Sequence, residues 1–415
     1  MRIMISCGEA SGDLYAGALT AELRARAPSA DIFGFGGQRL KAAGATLVGD
    51  FTGLTVTGLT EAVRVLPRSY AMYRRLIAAA RDHKPDVFVP IDFPDFNFRL
   101  MAVLRRLGTP VVYYVSPQLW AWRPGRIRTM RRFVDKVLVI FPFETSLYER
   151  AGIPVQFVGH PLVDLARAAQ PRSVFLRGHG LVPEAPTVAL LPGSRPNEVR
   201  RIAPGLAAAM PLIRARVSGV QFVVARAPNL PDALFAPFLP PAHGGRTLLG
   251  SPGGPGGGAP AAPARWGEVA RPTNSDIVLI EDRTDDVLAA SDVVITASGT
   301  ATVQATLHER PMVVVYRLSP LTYRLGKPFL KVDTYAMTNL VAARRVVPEL
   351  IQADFTPERV SEETVALLTD PERHARTCEA LQQVREQLGA PGASGRAAEA
   401  ILEVAAKGPR GVSSA

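Results

Sequence analysis

The sequence predicts an α/β protein built from two doubly wound parallel-sheet domains that face a cleft, with helices closing the chain. Three observations predict it. Short apolar runs alternate with longer helix-like stretches, the pattern of parallel strands covered on both faces. The alternation lapses into a polar, proline-bearing run and then starts again. The length of 415 residues exceeds one ordinary domain and suits two or three.

Residues 2–7, 31–35, 86–91, 111–115, 137–140 and 155–158 read as strands, with helical stretches at 14–27, 62–81 and 97–107 between them. These strands end in Gly, Asp, Ser, Pro or His rather than in hairpin turns. A connection at 166–186 carries Pro171, Pro183 and Pro186. Beyond it lies a second set of strands at 187–191, 221–225, 277–280, 293–296 and 312–316. Residues 357–369, 371–388 and 395–406 read as closing helices, some of them packing back across the first domain. The domains expected are therefore 1–167, 168–355 and a helical remainder at 356–415. Residues 228–274 are rich in Gly and Pro, and 250–263 consist almost wholly of Gly, Pro, Ala and Ser. That composition reads as a flexible surface insertion, with a functional lid as the alternative.

Composition narrows the function. Apolar residues at 47% and charged residues at 20% describe a folded globular chain. No run approaches the ~18 apolar residues of a membrane span. The chain opens on the apolar run 3–7 and Gly8, which reads as a first strand rather than a signal peptide, so a cytoplasmic location is expected. Cys7 and Cys378 make neither a disulfide framework nor a metal site, which fits a reducing compartment. Against 37 acidic residues stand 48 basic ones, a net +11 that suits an anionic membrane surface or phosphorylated substrates. Zinc spacings, RNA-binding signatures and basic tails are missing, so nucleic acid is not an expected partner.

Ligands of doubly wound sheets bind beyond the carboxyl ends of the strands, where strand order switches. After the first strand comes Gly8-Glu9-Ala10-Ser11-Gly12-Asp13. Gly8 and Gly12 permit tight backbone, and Ser11 or Asp13 could cap the next helix. A capped turn and a cleft loop fit this run equally. Asp92 follows the run 87–91 directly, as a general base or as a helix cap; for Asp95 the cap is favoured. The loop at 116–122 carries Ser116, Gln118, Trp120 and Trp122 ahead of a basic stretch with Arg126, Arg128, Arg131 and Arg132. Its aromatic rings can stack on sugars, touch acyl chains or belong to the core.

In the second domain Gly193, Ser194 and Arg195 follow the first strand, and Ser298, Gly299 and Thr300 follow 293–296. Both turns open helices and suit phosphate, the first with a guanidinium fork added. A Walker Gly-Lys-Ser/Thr and a complete G-x-G-x-x-G are absent, which argues against an ATPase and a dehydrogenase. The stretch 64–81 mixes five arginines with Leu66, Tyr70, Met72, Tyr73, Leu76 and Ile77. As a basic amphipathic helix it suits a membrane surface, or docks on its own sheet as an ordinary surface helix.

Taken together, these motifs resemble one family. GEASGD at 8–13, TGLTEAV at 57–63, KPDVFVPIDFPDFN at 84–97, YYVSPQLWAWR at 113–123, PFE at 142–144, GHPLVD at 159–164, LLPGSR at 190–195, ASGTAT at 297–302, PMVVVYR at 311–317 and VPEL at 347–350 are similar to those of bacterial lipid A disaccharide synthases. They run in order over most of the chain. The resemblance implies an inverting glycosyltransferase of GT-B type with two Rossmann-like halves. It implies transfer from UDP-2,3-diacylglucosamine to the 6-hydroxyl of 2,3-diacylglucosamine 1-phosphate, releasing UDP and the disaccharide 1-phosphate of lipopolysaccharide synthesis in Gram-negative bacteria. It implies no cofactor and no catalytic metal, and peripheral association with the inner membrane; a homo-oligomer is compatible with it. The family's essential Asp and Arg fall on Asp92 and Arg195. The nucleotide sugar would meet Gly193, Ser194, Arg195, Ser298, Gly299, Thr300, Gln304 and Asn339. The sugars would meet Glu9, Ser11, Gly12, Asp13, Glu61, Asn97, Ser116, Gln118 and Trp120, and the acyl chains or membrane Leu66, Tyr70, Met72, Tyr73 and Leu76.

Three features depart from the family pattern. Gln304 stands where familiar members carry a glutamate near the nucleotide ribose, Thr57 stands where Met is usual, and the 250–263 insertion is atypical. Glutamine still accepts a hydrogen bond, as a neutral and weaker acceptor. Rival readings are another UDP-N-acetylglucosamine enzyme, against which the 116–122 loop argues, and a non-catalytic binding homologue, which only Gln304 favours.

Overall fold

The computed structural model describes residues 1–51, 59–120, 124–228, 230–239, 276–318 and 334–409, without the side chains of 59–65 and 124. Thr57, Trp122 and the 250–263 insertion lie outside the described residues.

Seven strands form the first sheet: β1 (Arg2–Cys7), β2 (Asp31–Gly36), β3 (Thr46–Asp50), β4 (Val87–Ile91), β5 (Val112–Tyr114), β6 (Lys136–Val139) and β7 (Val155–Phe157). All pairings are parallel, in the order β3-β2-β1-β4-β5-β6-β7. Six more form the second: β8 (Thr187–Leu191), β9 (Gln221–Arg226), β10 (Ile277–Glu281), β11 (Val293–Ala297), β12 (Met312–Tyr316) and β13 (Glu349–Ile351). They too are parallel, in the order β10-β9-β8-β11-β12-β13. The order therefore reverses between β1 and β4 in one sheet and between β8 and β11 in the other.

Burial on both faces explains why the central strands read as unbroken apolar runs. In β1, Ile3, Ile5 and Cys7 enter a cluster with Leu19 and Leu23 of the helix Ala10–Arg26 and Ile401 of the helix Ala393–Lys407. Met4 points the other way, to Leu76 of the helix Leu59–His83 and Leu100 of the helix Pro94–Arg106. β8 repeats the alternation, with Val188 and Leu190 on one face and Ala189 and Leu191 on the other. The last helix thus covers the first domain, packing along Ala10–Arg26, as the sequence suggests. The first cluster also takes in Val303, Leu307 and Met337 beside Leu162, so apolar contacts join the two halves below the cleft.

Two strands escape the sequence reading. β3 and β13 are five and three residues at sheet edges, too short and too mixed for a pattern of burial. Asp92 therefore follows the fourth strand, not the third. The connection at 166–186 is not wholly irregular either, since Arg172–Gly178 is a helix whose Phe175 and Leu176 are buried against the second sheet. Leu76 is fully buried, so it packs the core and does not face acyl chains. Among the described residues no helix is long and apolar enough to cross a membrane.

Candidate active site

The loop after β4 is strained. Asp92 (φ +44°) and Phe93 (φ +49°) are both left-handed, and so is Val115 (φ +56°) just after β5. Each such residue costs about 1–3 kcal/mol, most for a β-branched valine, and persists only where its surroundings enforce it. Here they do. The Asp92 N–H donates to the Val115 carbonyl at 3.2 Å. The Asp92 carbonyl accepts from Asn97 Nδ2 and from the Tyr113 hydroxyl, each at 2.8 Å. Asn97 is wholly buried, and its Oδ1 accepts the Ser6 hydroxyl at 2.7 Å. Gly8 completes the junction, because a Cβ there would come within 2.3 Å of the Phe93 ring.

The network engages the backbone of Asp92 on both sides, leaving its carboxyl to be set by its surroundings. The carboxyl sits deep in protein, although the residue keeps some contact with solvent. Burial pushes its pKa up to about 7, and the Glu9 carboxylate adds to that. The Phe93 N–H and Arg195 pull it partly back.

Arg195 comes from the other domain. Its Nη2 donates to Glu9 Oε2 at 2.5 Å, so the carboxyl edges of the two sheets face one another. Burial opposes its charge, but Glu9 and Glu198 more than offset that and hold the guanidinium protonated.

The two helix starts expected to take phosphate differ. The Ser194 N–H donates to Glu198 Oε2 at 3.0 Å, and Gly193 (φ +123°) leaves room for that carboxylate, which a Cβ would meet at 2.3 Å. The turn after β8 is therefore filled by its own acid, a residue the sequence reading passed over. Gly299 and Thr300, by contrast, are exposed at the start of the helix Thr300–Leu307. The Thr302 N–H turns back to the Gly299 carbonyl at 3.0 Å, while those of Thr300 and Ala301 have no partner within the helix, which leaves this end available to an anion. The Ser298 hydroxyl is engaged, donating to the Tyr335 carbonyl at 2.8 Å.

Several residues expected to touch ligand hold the fold instead. The Asp13 carboxylate accepts the N–H groups of Gly37, Arg39 and Leu40 at 2.7, 2.9 and 3.1 Å, so it caps the helix Gln38–Ala42. Neither Ser11 nor Asp13 caps its own helix; both lie in the first turn of Ala10–Arg26, with Ser11 half-buried and Gly12 buried. Asn97 is spent on Ser6 and Asp92. The buried Ser116 hydroxyl bonds to the Pro117 carbonyl at 3.0 Å and to the Tyr148 hydroxyl. Asn339 is buried; its amide donates to the Val347 carbonyl and Glu349, and its oxygen accepts from Val346 and Val347. Asp95 is no cap; it pairs with Arg126 in the first turn of Pro94–Arg106. The Glu61 side chain lies outside what is described.

Trp120 is half-buried, edge-on to Phe143 at 5.3 Å, while Gln118 is exposed. Beneath them lies Glu144, fully enclosed. Burial pushes its carboxyl up to about 8, with the Phe141 N–H and the Trp120 indole opposing. The sequence signal for it is an acid directly after the apolar run 137–143, within the PFE motif.

Solved structures share this architecture. A UDP-GlcNAc 2-epimerase from Neisseria meningitidis bound to UDP-GlcNAc is 13% identical with a TM-score of 0.64, covering 97% of this chain and 100% of that one. The glycotransferase of kitacinnamycin is 17% identical with a TM-score of 0.60, covering 97% and 98%. At such identities the likeness is one of fold. With an acid at one switch point facing an arginine and an open helix start at the other, the two halves have the GT-B fold.

The family is narrower. The family model described as lipid-A-disaccharide synthetase matches residues 3–238 and 269–404, and the chain belongs to that family. It is 41% identical over 404 residues to a lipid-A-disaccharide synthase of Myxococcus xanthus (strain DK1622), covering 97% of each chain. It is 40% identical over 409 residues to one from Geobacter metallireducens, covering 98% of each.

Proposed function

We propose that the chain transfers a diacylglucosamine unit from its UDP donor to the 6-hydroxyl of 2,3-diacylglucosamine 1-phosphate, with inversion, and that Asp92 is the base. The carrying observation is the Asp92 carboxyl, placed at the switch point of its sheet with its pKa pushed up to about 7. A base poised near the working pH can both accept a proton and be available to do so. As the acceptor oxygen attacks the anomeric carbon, its proton passes to Asp92, and the sugar–phosphate bond breaks to leave UDP. Arg195 and the N–H groups opening the helix Thr300–Leu307 would receive the charge that gathers on the diphosphate. Gln304, one turn along that helix, would meet the ribose.

The acyl chains need a dry surface. A cavity of about 1010 Å³ opens between β3 and the helix Leu59–His83, lined by Leu47, Val48 and Met72 with Lys41, Arg68 and Arg75 around them. Leu66 and Tyr70 are exposed on that helix, beside Arg68 and Arg74, and Tyr73 stacks on Tyr70. Apolar side chains among arginines suit an anionic bilayer surface. Leu66→Asp with Tyr70→Asp should release the protein from anionic vesicles in a sedimentation assay; unchanged sedimentation would remove this surface.

The reaction is tested by mass spectrometry of products. Purified protein, both acylated sugars in detergent and a chelator should yield the disaccharide 1-phosphate and UDP in equal amounts. UDP without disaccharide, or no product with metal restored and acyl length varied, would overturn the proposal.

A further inference from the structure

Asp285 lies four residues past the end of β10, on the same carboxyl edge as Arg195 and Gly299. Its neighbour Asp286 fixes the backbone there, accepting the N–H groups of Ala169 and Gln170 in the connection between the domains, and Arg283 Nε. The Asp285 Oδ1 accepts from Gln304 Nε2 at 3.2 Å, and His308 Nε2 lies 3.0 Å from the same oxygen. Gln304 and His308 stand one turn apart, so both reach the one carboxylate from a single helix face.

Two oxygens in this cluster are left over. Among the described residues, nothing donates to Oδ2 of Asp285 or to Oε1 of Gln304. The Asp285 side chain is 24% exposed, and neither oxygen is sealed from solvent, so both stay open to a ligand. The pair can therefore receive two O–H donors. Adjacent hydroxyls of that kind are carried by the ribose of a ribonucleotide. Thr300 opens the helix that receives the diphosphate, and Gln304 follows four residues later, about one 5.4 Å turn away.

We infer that Asp285 and Gln304 together hold the vicinal hydroxyls of the nucleotide ribose, with Asp285 supplying the carboxylate. This deepens the donor-site reading above and rests on it. It also explains why glutamine occupies position 304. A glutamate there would set two carboxylates against each other, whereas the amide donates to Asp285 and keeps its own oxygen for the ligand.

Calorimetric titration of the full chain with UDP and with 2′-deoxy-UDP tests the inference. The wild type should prefer UDP by about tenfold, the scale of one hydrogen bond to a charged group. Asp285→Asn should weaken UDP by about that factor, leave 2′-deoxy-UDP nearly unchanged and so erase the preference. Gln304→Glu alone should weaken UDP through repulsion, and adding Asp285→Asn should recover it, since the carboxylate has only changed places. A purely structural role would lower both nucleotides alike. An Asp285→Asn protein that retains the preference overturns the inference while the donor site stands. A wild type that binds no UDP overturns the donor-site reading and the inference with it.

Discussion

Arg195 donates to Glu9 at 2.5 Å across 186 residues of sequence, joining the turn after β8 to the turn after β1. Both partners act on Asp92, Glu9 raising its pKa and Arg195 lowering it. Three residues from two domains therefore form one electrostatic unit at the cleft, and its coupling can be read through the titration of Asp92.

Asp92→Asn should lower kcat by about 10²–10⁴ while UDP affinity stays near that of the wild type. A base must be unprotonated, so wild-type kcat/KM should fall as pH drops through about 7. A variant with near-wild-type turnover, or a wild-type profile flat from pH 5 to 8, would remove Asp92 from this role.

Glu9→Gln should move that acid limb to lower pH. The Glu9 carboxylate disfavours ionisation of Asp92, and its loss also leaves Arg195 with only Glu198 of its two acidic neighbours, which favours ionisation further. Both changes have the same sign. Turnover at pH 6, relative to each protein's own plateau, should therefore be higher in the variant. A limb that stays in place or rises would show that the two acids do not interact.

How much of this was legible in the sequence follows a physical line. Asp92, Arg195 and Gly299 each stand directly after an apolar run, and the end of a parallel strand is a position that pattern alone can find. Direction and partners are different matters. Asp13 and Asn97 occupy equally promising positions, yet the Asp13 carboxylate is consumed by backbone N–H groups 24 to 27 residues away, and Asn97 by the hydroxyl and carbonyl of Ser6, 91 residues away, and by the Asp92 carbonyl. Glu198 filling its own helix start, and Asp285 meeting Gln304, depend on side chains brought together only by the folded sheet. β3 and β13 escape because each mixes polar residues with few covered ones, no residue of β3 and only Leu350 of β13 being buried.

Glu144 carries the last prediction. Its usual pKa of 4.5 is pushed up to about 8 by burial beneath Trp120. The folded protein thus keeps a proton that the unfolded chain releases near pH 4.5. Stability must then fall as pH rises between those two values, with a slope approaching about 1.4 kcal/mol per pH unit from this one group. Below that window both states are protonated, and above it both are ionised, so the loss neither begins earlier nor continues later. Glutamine at 144 can still accept the Phe141 N–H and has no proton to lose. Urea unfolding of Glu144→Gln and wild type should give nearly equal stabilities at pH 4, with the variant pulling ahead up to pH 8 and by a constant margin beyond. The contributions of Asp92 and other acids are common to both proteins and largely cancel in the difference. A margin independent of pH would mean that Glu144 ionises normally inside the fold, and that the Trp120 loop rests on a charge rather than on a neutral acid.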